Sequence, residues 1–239
     1  MTASAPVPSK PLFSLPENLR RGTKSYDLWA AVPLMIWYGL GAVSHLMSVH
    51  AELTKLNFSR PQFVLVTDIL SQLAAILFAG MIVALLFARR PATATAAGLG
   101  PRVAGILGTY LGVGFLLLPT PHISPWIRDL GTLLILSGVA FSMYALSYLG
   151  RSVSLIAEAR KLVTGGPYSV VRHPLYLGEE IAILGAVLQY FSVWALLILG
   201  LQLLCQLYRM SYEEEVLGSA FPDYSAYKSR TFRLVPGIY

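Results

Sequence analysis

The chain has 239 residues, of which 55% are hydrophobic and only 13% charged, and its mean hydropathy is +0.62. A soluble domain carries about 25% charged residues, so the composition excludes a water-soluble protein and makes the bilayer the expected solvent. The formal charge of +6 would suit a nucleic-acid binder, but the positions of the basic residues account for it differently. In chain order, residues 1–27 are polar and rich in Pro and Ser, with no apolar core of the kind a cleavable signal needs, and read as a partly disordered cytoplasmic tail. A transmembrane helix needs about 20 mostly apolar residues. Four such runs follow, at about Leu28–Val49, Gln62–Ala88, Val103–Pro119 and Trp126–Leu149, so residues 28–149 are read as four transmembrane helices. A fifth apolar stretch, Leu175–Tyr208, is too long for one crossing and is broken near Gln189-Tyr190-Phe191-Ser192. It reads as a helical hairpin with arms of roughly 16–17 residues, short for a full span.

The Lys/Arg distribution sets the orientation, because basic residues favour the cytoplasmic side. Lys10, Arg20, Arg21 and Lys24 precede the first helix; Arg89, Arg90 and Arg102 fall between the second and third. Arg151, Arg160, Lys161 and Arg172 follow the fourth, and Arg209, Lys228, Arg230 and Arg233 follow the hairpin. Fifteen of the eighteen basic residues thus fall on one side, leaving Lys55, Arg60 and Arg128 for the other. Both termini are expected to be cytoplasmic, with five to six crossings in an all-α polytopic bundle. This topology explains the charge without nucleic acid.

Cys205, the lone cysteine, allows no intrachain disulfide and no CxxC motif. His45, His50, His122 and His173 lack HExxH spacing, so no metal is expected. No repeat marks an inverted-repeat transporter, and no filter-like segment marks a channel. Gly108 and Gly112 form a GxxxG in the third helix, expected to pack closely against a neighbour. His45 is expected at an interhelical contact, with His50 and His122 in outer loops. Asp68, inside the second helix, draws weak suspicion as an ionisable group within the membrane.

Polar chemistry concentrates in residues 150–239, the expected catalytic region. Gly165-Gly166-Pro167 marks a turn. Pro174 suits the first turn of the next helix, with His173 at its N-cap and Arg172 beside it, a place where an anion can dock. Glu179 and Glu180 follow one turn later, either at functional depth or at headgroup level. After the hairpin come Arg209, Glu213, Glu214 and Glu215, then Leu217, Phe221, Tyr224 and Tyr227. Arg209 and Glu213 have the i, i+4 spacing of a simple surface ion pair, and the aromatic residues suit a tail helix packed on the bilayer or on the first cluster.

The segments Leu162-Val163-Thr164-Gly165-Gly166-Pro167-Tyr168 and Arg172-His173-Pro174-Leu175-Tyr176-Leu177-Gly178 resemble "LVTxGPYxxxRHPxYxG". Arg209 with Glu213-Glu214, Leu217, Phe221, Tyr224 and Tyr227 resembles "RxxxEExxLxxxFxxxYxxY". Both belong to the isoprenylcysteine carboxyl methyltransferase and phospholipid methyltransferase superfamily of integral membrane enzymes. The resemblance implies S-adenosylmethionine as methyl donor. It places Leu162, Val163, Gly166, Pro167, Tyr168, Arg172, His173, Tyr176 and Gly178 on the cofactor side, with Arg209, Glu213 and Glu214 closing the pocket as catalytic candidates. Arg172 or His173 would take the donor's carboxylate, Glu214 its ammonium, and Tyr168 or Tyr176 its adenine. The implied acceptor is lipophilic (an isoprenylcysteine-type carboxylate, a lipid head group or a thiol) and enters from the membrane lipid. Two alternatives stand beside this reading. One is an NADPH-dependent membrane reductase of sterol-reductase type, with Arg160-Lys161 as the only local cations for a 2′-phosphate. The other is a non-catalytic membrane protein.

Overall fold

The computed structural model describes residues 23–54 and 62–239; most of the N-terminal tail, and Lys55 and Arg60, lie outside them. Seven α-helices are formed among the described residues: α1 Lys24–Thr54, α2 Gln62–Ala88, α3 Gly100–Tyr110, α4 Pro125–Leu149, α5 Pro174–Gln189, α6 Val193–Ala220 and α7 Tyr224–Ser229. Five segments are long and apolar enough to cross a membrane: α1, α2, α3 with its 3-10 continuation to Leu117, α4 and α6. The protein is an all-α integral membrane bundle. Two short antiparallel strands, β1 (Ala94–Thr95) and β2 (Glu158–Ala159), pair in the loops at one end.

The hairpin breaks where its sequence loses apolar character, and Ser192 caps the second arm by accepting from the Ala195 N–H at 3.1 Å. The first arm, α5, has the expected 16 residues. The second does not: α6 runs for 28 residues, well past Tyr208. Apolar patterning ends at Tyr208, but Arg209-Met210-Ser211-Tyr212-Glu213-Glu214-Glu215 contains no Pro or Gly to stop a helix, so α6 leaves the apolar zone as one rod. His50 likewise lies in α1, two turns longer than its apolar core, and not in a loop.

Helix α4 packs on α5 through glycines. A Cβ on Gly138 would sit 2.5 Å from the Gly178 carbonyl, and one on Gly185 would sit 2.5 Å from the Gly131 carbonyl. Small residues permit this backbone approach in a membrane, where apolar burial alone gives no preference for another helix over lipid. The GxxxG of α3 behaves differently from expectation. Gly108 meets the Arg209 side chain and Gly105 the Leu155 carbonyl, whereas Gly112 faces open space. Helices α1 and α2 form the opposite wall, joined to α4 by Leu34, Ile82, Leu86 and Leu146. Within that wall His45 Nδ1 hydrogen-bonds Gln72 Oε1, the interhelical contact expected of it.

Candidate active site at the loop end of the bundle

The segment 150–173 connects α4 to α5 and folds over the bundle end. Gly150 (φ +52°) terminates α4, and Gly166 (φ +58°) makes the turn before Pro167. A Cβ on Gly166 would run into the Tyr148 ring, so both the backbone conformation and the space require glycine there. Tyr168 is buried, and its carbonyl accepts from the Tyr227 hydroxyl at 2.8 Å. The aromatic residues of the tail therefore pack on the first cluster. The C-terminal strip then lies beside the Arg-His-Pro motif. The Arg172 N–H donates to the Phe232 carbonyl at 2.8 Å, the Phe232 N–H to Val170 at 3.0 Å, and the His173 N–H to Arg233 at 3.2 Å.

Glu214 is the electrostatic hub of this arrangement. Its Oε1 accepts from Arg172 Nε at 3.0 Å, Arg233 Nε at 3.0 Å and His173 Nε2 at 3.2 Å, while Lys228 Nζ lies 3.0 Å from Oε2. The side chain is only 6% exposed. Arg172 also donates through Nη1 to the Lys228 and Thr231 carbonyls. Motif and tail are thus cross-linked through one carboxylate, and Arg172 is largely committed to that task. His173 occupies the N-cap of α5 but makes no capping bond, because its ring faces Glu214. Its ring stacks on Tyr176, 5.5 Å between centroids and 3° from parallel.

Beneath this hub lies a second polar layer. The Tyr176 hydroxyl donates to Glu213 Oε1, and the Arg209 guanidinium sits 4.7 Å from the centre of the Tyr176 ring. Arg209 turns inward instead of pairing with Glu213 along the helix surface. It donates to Gln206 Oε1 at 3.3 Å and the Leu155 carbonyl at 3.4 Å, while its buried Nε has no partner among the described residues. Gln206 Nε2 in turn donates to Glu179 Oε2 at 2.5 Å, so Glu179 belongs to this layer. Glu180 is buried, with one oxygen unpartnered among the described residues.

Between these layers and the loop opens a cleft with about 790 Å³ of empty space, its open mouth included. Leu162, Val163, Tyr168, Arg172, His173, Tyr176 and Glu213 line it, as the sequence reading expects of ligand-facing residues. Gly166, Pro167, Gly178, Arg209 and Glu214 do not: Gly178 is at the α4–α5 contact, where a Cβ would strike Ser142, and the others shape or support the wall. Tyr224 and Tyr227 complete the lining, and the buried Tyr224 hydroxyl has no hydrogen-bond partner among the described residues. Burial raises both phenols, Tyr227 to about 12, so each remains a neutral donor.

A third group stands on the cleft wall, of which the sequence reading named only Arg160, as a cation for a 2′-phosphate. Ser154, Glu158 and Arg160 line it, and Arg160 is fully buried beneath them. Arg160 Nη1 lies 2.5 Å from Asp27 Oδ2 and Nη2 lies 3.1 Å from Oδ1, a two-point grip on the first turn of α1. The same guanidinium donates to Glu158 Oε2 at 2.6 Å and Ser154 Oγ at 2.8 Å, and Ser154 Oγ donates to Glu158 Oε2 at 2.6 Å. Arg89 closes the network on the Asp27 carbonyl. No spacing rule links residues 27, 89 and 160, although a lone Asp in the first turn of an apolar helix was the available clue.

Two ordered motifs on either side of a hairpin, folded into one cleft, suit a known domain type. Residues 126–223 match the phospholipid methyltransferase family. That family is part of the integral membrane methyltransferase superfamily that the two motifs resemble. Among curated relatives, the cobalt-zinc-cadmium resistance protein CzcN of Cupriavidus metallidurans is 36% identical over 122 residues, 48% of this chain and 52% of that protein. The nickel-cobalt-cadmium resistance protein NccN of Alcaligenes xylosoxydans xylosoxydans is 35% identical over 83 residues, 34% of this chain and 38% of that protein. The chain thus spans about half the length of the first relative and less of the second.

Proposed function

We propose that the protein is an S-adenosylmethionine-dependent methyltransferase acting on a lipophilic acceptor, with the cleft on the cytoplasmic side of the membrane. The observation that carries this reading is the convergence of both motif halves on one cleft inside a phospholipid methyltransferase domain. The residues present fit the cofactor. Tyr168, Tyr176, Tyr224 and Tyr227 offer aromatic surface for adenine, and the unpartnered Tyr224 hydroxyl offers a donor. Lys161, exposed at the cleft, and the free N–H groups at the start of α5 suit the cofactor's carboxylate. Glu213 has no Lys or Arg partner within 4 Å among the described residues and suits a cation, the ammonium. Arg172, which lines the cleft, and Glu214, which does not, together hold the tail beside it.

When bound, S-adenosylmethionine supplies an activated methyl group that leaves its sulfonium by in-line displacement. The protein's tasks are then orientation and exclusion of water. The Glu214 hub fixes the tail strip and, through Lys228, α7, whose Tyr224 and Tyr227 line the cleft. A carboxylate acceptor needs no general base, whereas a thiol or ammonium acceptor sheds its proton before transfer. Arg209, with its spare Nε, orients an acceptor that reaches the second layer from the bilayer. The NADPH reading keeps only Lys161 as a local cation, because Arg160 is engaged by Asp27 and Glu158. The relatives' names speak of metal resistance, and methyl transfer from a sulfonium needs no metal. Calorimetric titration of the purified protein with S-adenosylhomocysteine and, in parallel, NADPH tests the proposal. Micromolar binding of the first alone is expected; binding of NADPH alone, or of neither by folded protein, overturns it.

A further inference from the structure

The mechanism above leaves unused the cleft's second carboxylate, Glu158, together with the buried ionic group behind it. Glu158 Oε2 is fully engaged, accepting from Ser154 Oγ and Arg160 Nη2 at 2.6 Å each. Oε1 takes no hydrogen bond from the described residues, and the side chain lines the cleft with 17% exposure. Arg160, fully buried, is held in turn by both oxygens of Asp27, so the carboxylate is fixed from behind by a chain anchored in α1. The loop that carries it cannot drift, since β2 pairs with β1, Thr93 N–H donates to Ala159 and Ala96 N–H to Ala157. A carboxylate with one oxygen clamped and the other presented to a ligand cleft is an acceptor for hydroxyl groups.

We infer that Glu158 binds the ribose hydroxyls of the nucleoside ligand, and that Asp27 and Arg160 are the positioning residues that hold it to that task. The assignment rests on the S-adenosyl reading of the cleft. Charge separates the two candidate acids. Glu158 is already neutralised by the Arg160 guanidinium, and Lys161 follows in the loop, so its surroundings disfavour a cation and suit neutral hydroxyl donors. Glu213 has no Lys or Arg within 4 Å among the described residues, only His173 Nδ1 at 3.7 Å from Oε2, and is left for the ammonium. Hydroxyl groups bonded to an ionised acceptor carry strong discrimination, because an analogue lacking them leaves a desolvated carboxylate unpaired. The same logic places an acidic residue on the ribose in dinucleotide sites.

The test is calorimetric, on the full chain in detergent, with S-adenosylhomocysteine and its 2′-deoxy, 3′-deoxy and deaminated analogues. The native protein is expected to bind the parent compound and to lose about tenfold to a hundredfold with at least one deoxy analogue. In Glu158→Ala that penalty falls to within about threefold, while the penalty for deamination persists. Glu158→Gln, which keeps the shape and partners, lowers the deoxy penalty to a few-fold and serves if the alanine variant does not fold. Asp27→Asn shrinks the same penalty without touching the ligand, a result that a purely structural role for Asp27 would not give. An undiminished deoxy penalty in folded Glu158 variants overturns the inference and leaves the methyltransferase reading standing. So does a native protein indifferent to the deoxy analogues, or a Glu158 variant that loses discrimination against deamination instead. A folded native protein that does not bind the parent compound overturns the underlying reading, and the inference with it.

Discussion

Glu214→Gln separates a structural hub from a ligand contact. The substitution keeps the side-chain shape and one neutral acceptor but removes the charge that Arg172, Arg233 and Lys228 share at 3.0 Å. Lys228 is 52% exposed along its side chain and contributes little. Arg172 and Arg233, at 10% and 18%, are the partners that matter. Breaking a buried pair costs about 3–5 kcal/mol, and the retained amide acceptor puts this change near the lower end, about 3 kcal/mol. For a chain of this size that is a fall in Tm of roughly 6–12 °C. Thermal denaturation in detergent reads it, and limited proteolysis locates it: the tail beyond residue 224, tied down through Lys228 and Arg233, becomes the first segment cut. At low temperature S-adenosylhomocysteine affinity stays within about threefold of native, because Glu214 supports the cleft wall without lining it. An unchanged Tm and an intact tail, combined with a tenfold or greater loss of affinity, would refute the reasoning and return Glu214 to the ligand.

Three further outcomes are expected. Gly138→Ala forces a methyl group to 2.5 Å from the Gly178 carbonyl and the Ala182 nitrogen, separating α4 from α5 at a cost of about 1–3 kcal/mol. Gly112→Ala, which meets nothing within 4 Å, leaves thermal stability unchanged, and equal Tm values for the two variants would contradict the packing argument. Tyr224→Phe removes a buried hydroxyl with no partner among the described residues, so the free protein is no less stable; calorimetry should show S-adenosylhomocysteine binding weakened about fivefold to tenfold, the worth of about 1 kcal/mol, and unchanged affinity would mean that the ligand does not reach it. Lys161→Ala weakens the same ligand by a similar factor, with a loss that diminishes as salt is raised, whereas a salt-independent effect would place the carboxylate elsewhere.

The membrane helices were legible because apolar length is a property of composition alone, and the hairpin break was legible because Gln189 to Ser192 interrupts it. The end of α6 was not, since polar residues carry a helix onward as readily as apolar ones where nothing stops them. The motif residues pointed to the right end of the molecule, but their types did not reveal their duties. Arg172 has the chemistry to hold a carboxylate, yet it is drawn to Glu214 and two tail carbonyls. Such choices depend on residues 228–233, whose position beside residue 171 is a tertiary fact. The Asp27–Arg160 pair spans 133 positions and has no local periodicity to betray it.

These two ionic groups divide the site between them. Asp27 and Arg160 clamp one wall of the cleft to α1, at the N-terminal side of the bundle, while Glu214 clamps the tail to the start of α5. Each uses a buried acid to collect cations that positive-side topology already concentrates at this end of the bundle. Uncompensated, Arg89, Arg160, Arg172 and Arg233 would repel one another around the cleft. The acids turn that repulsion into rigidity, and the motif's paired Glu213-Glu214 then has a physical reading. One carboxylate neutralises the frame, and its neighbour lines the cleft, held by the Tyr176 hydroxyl.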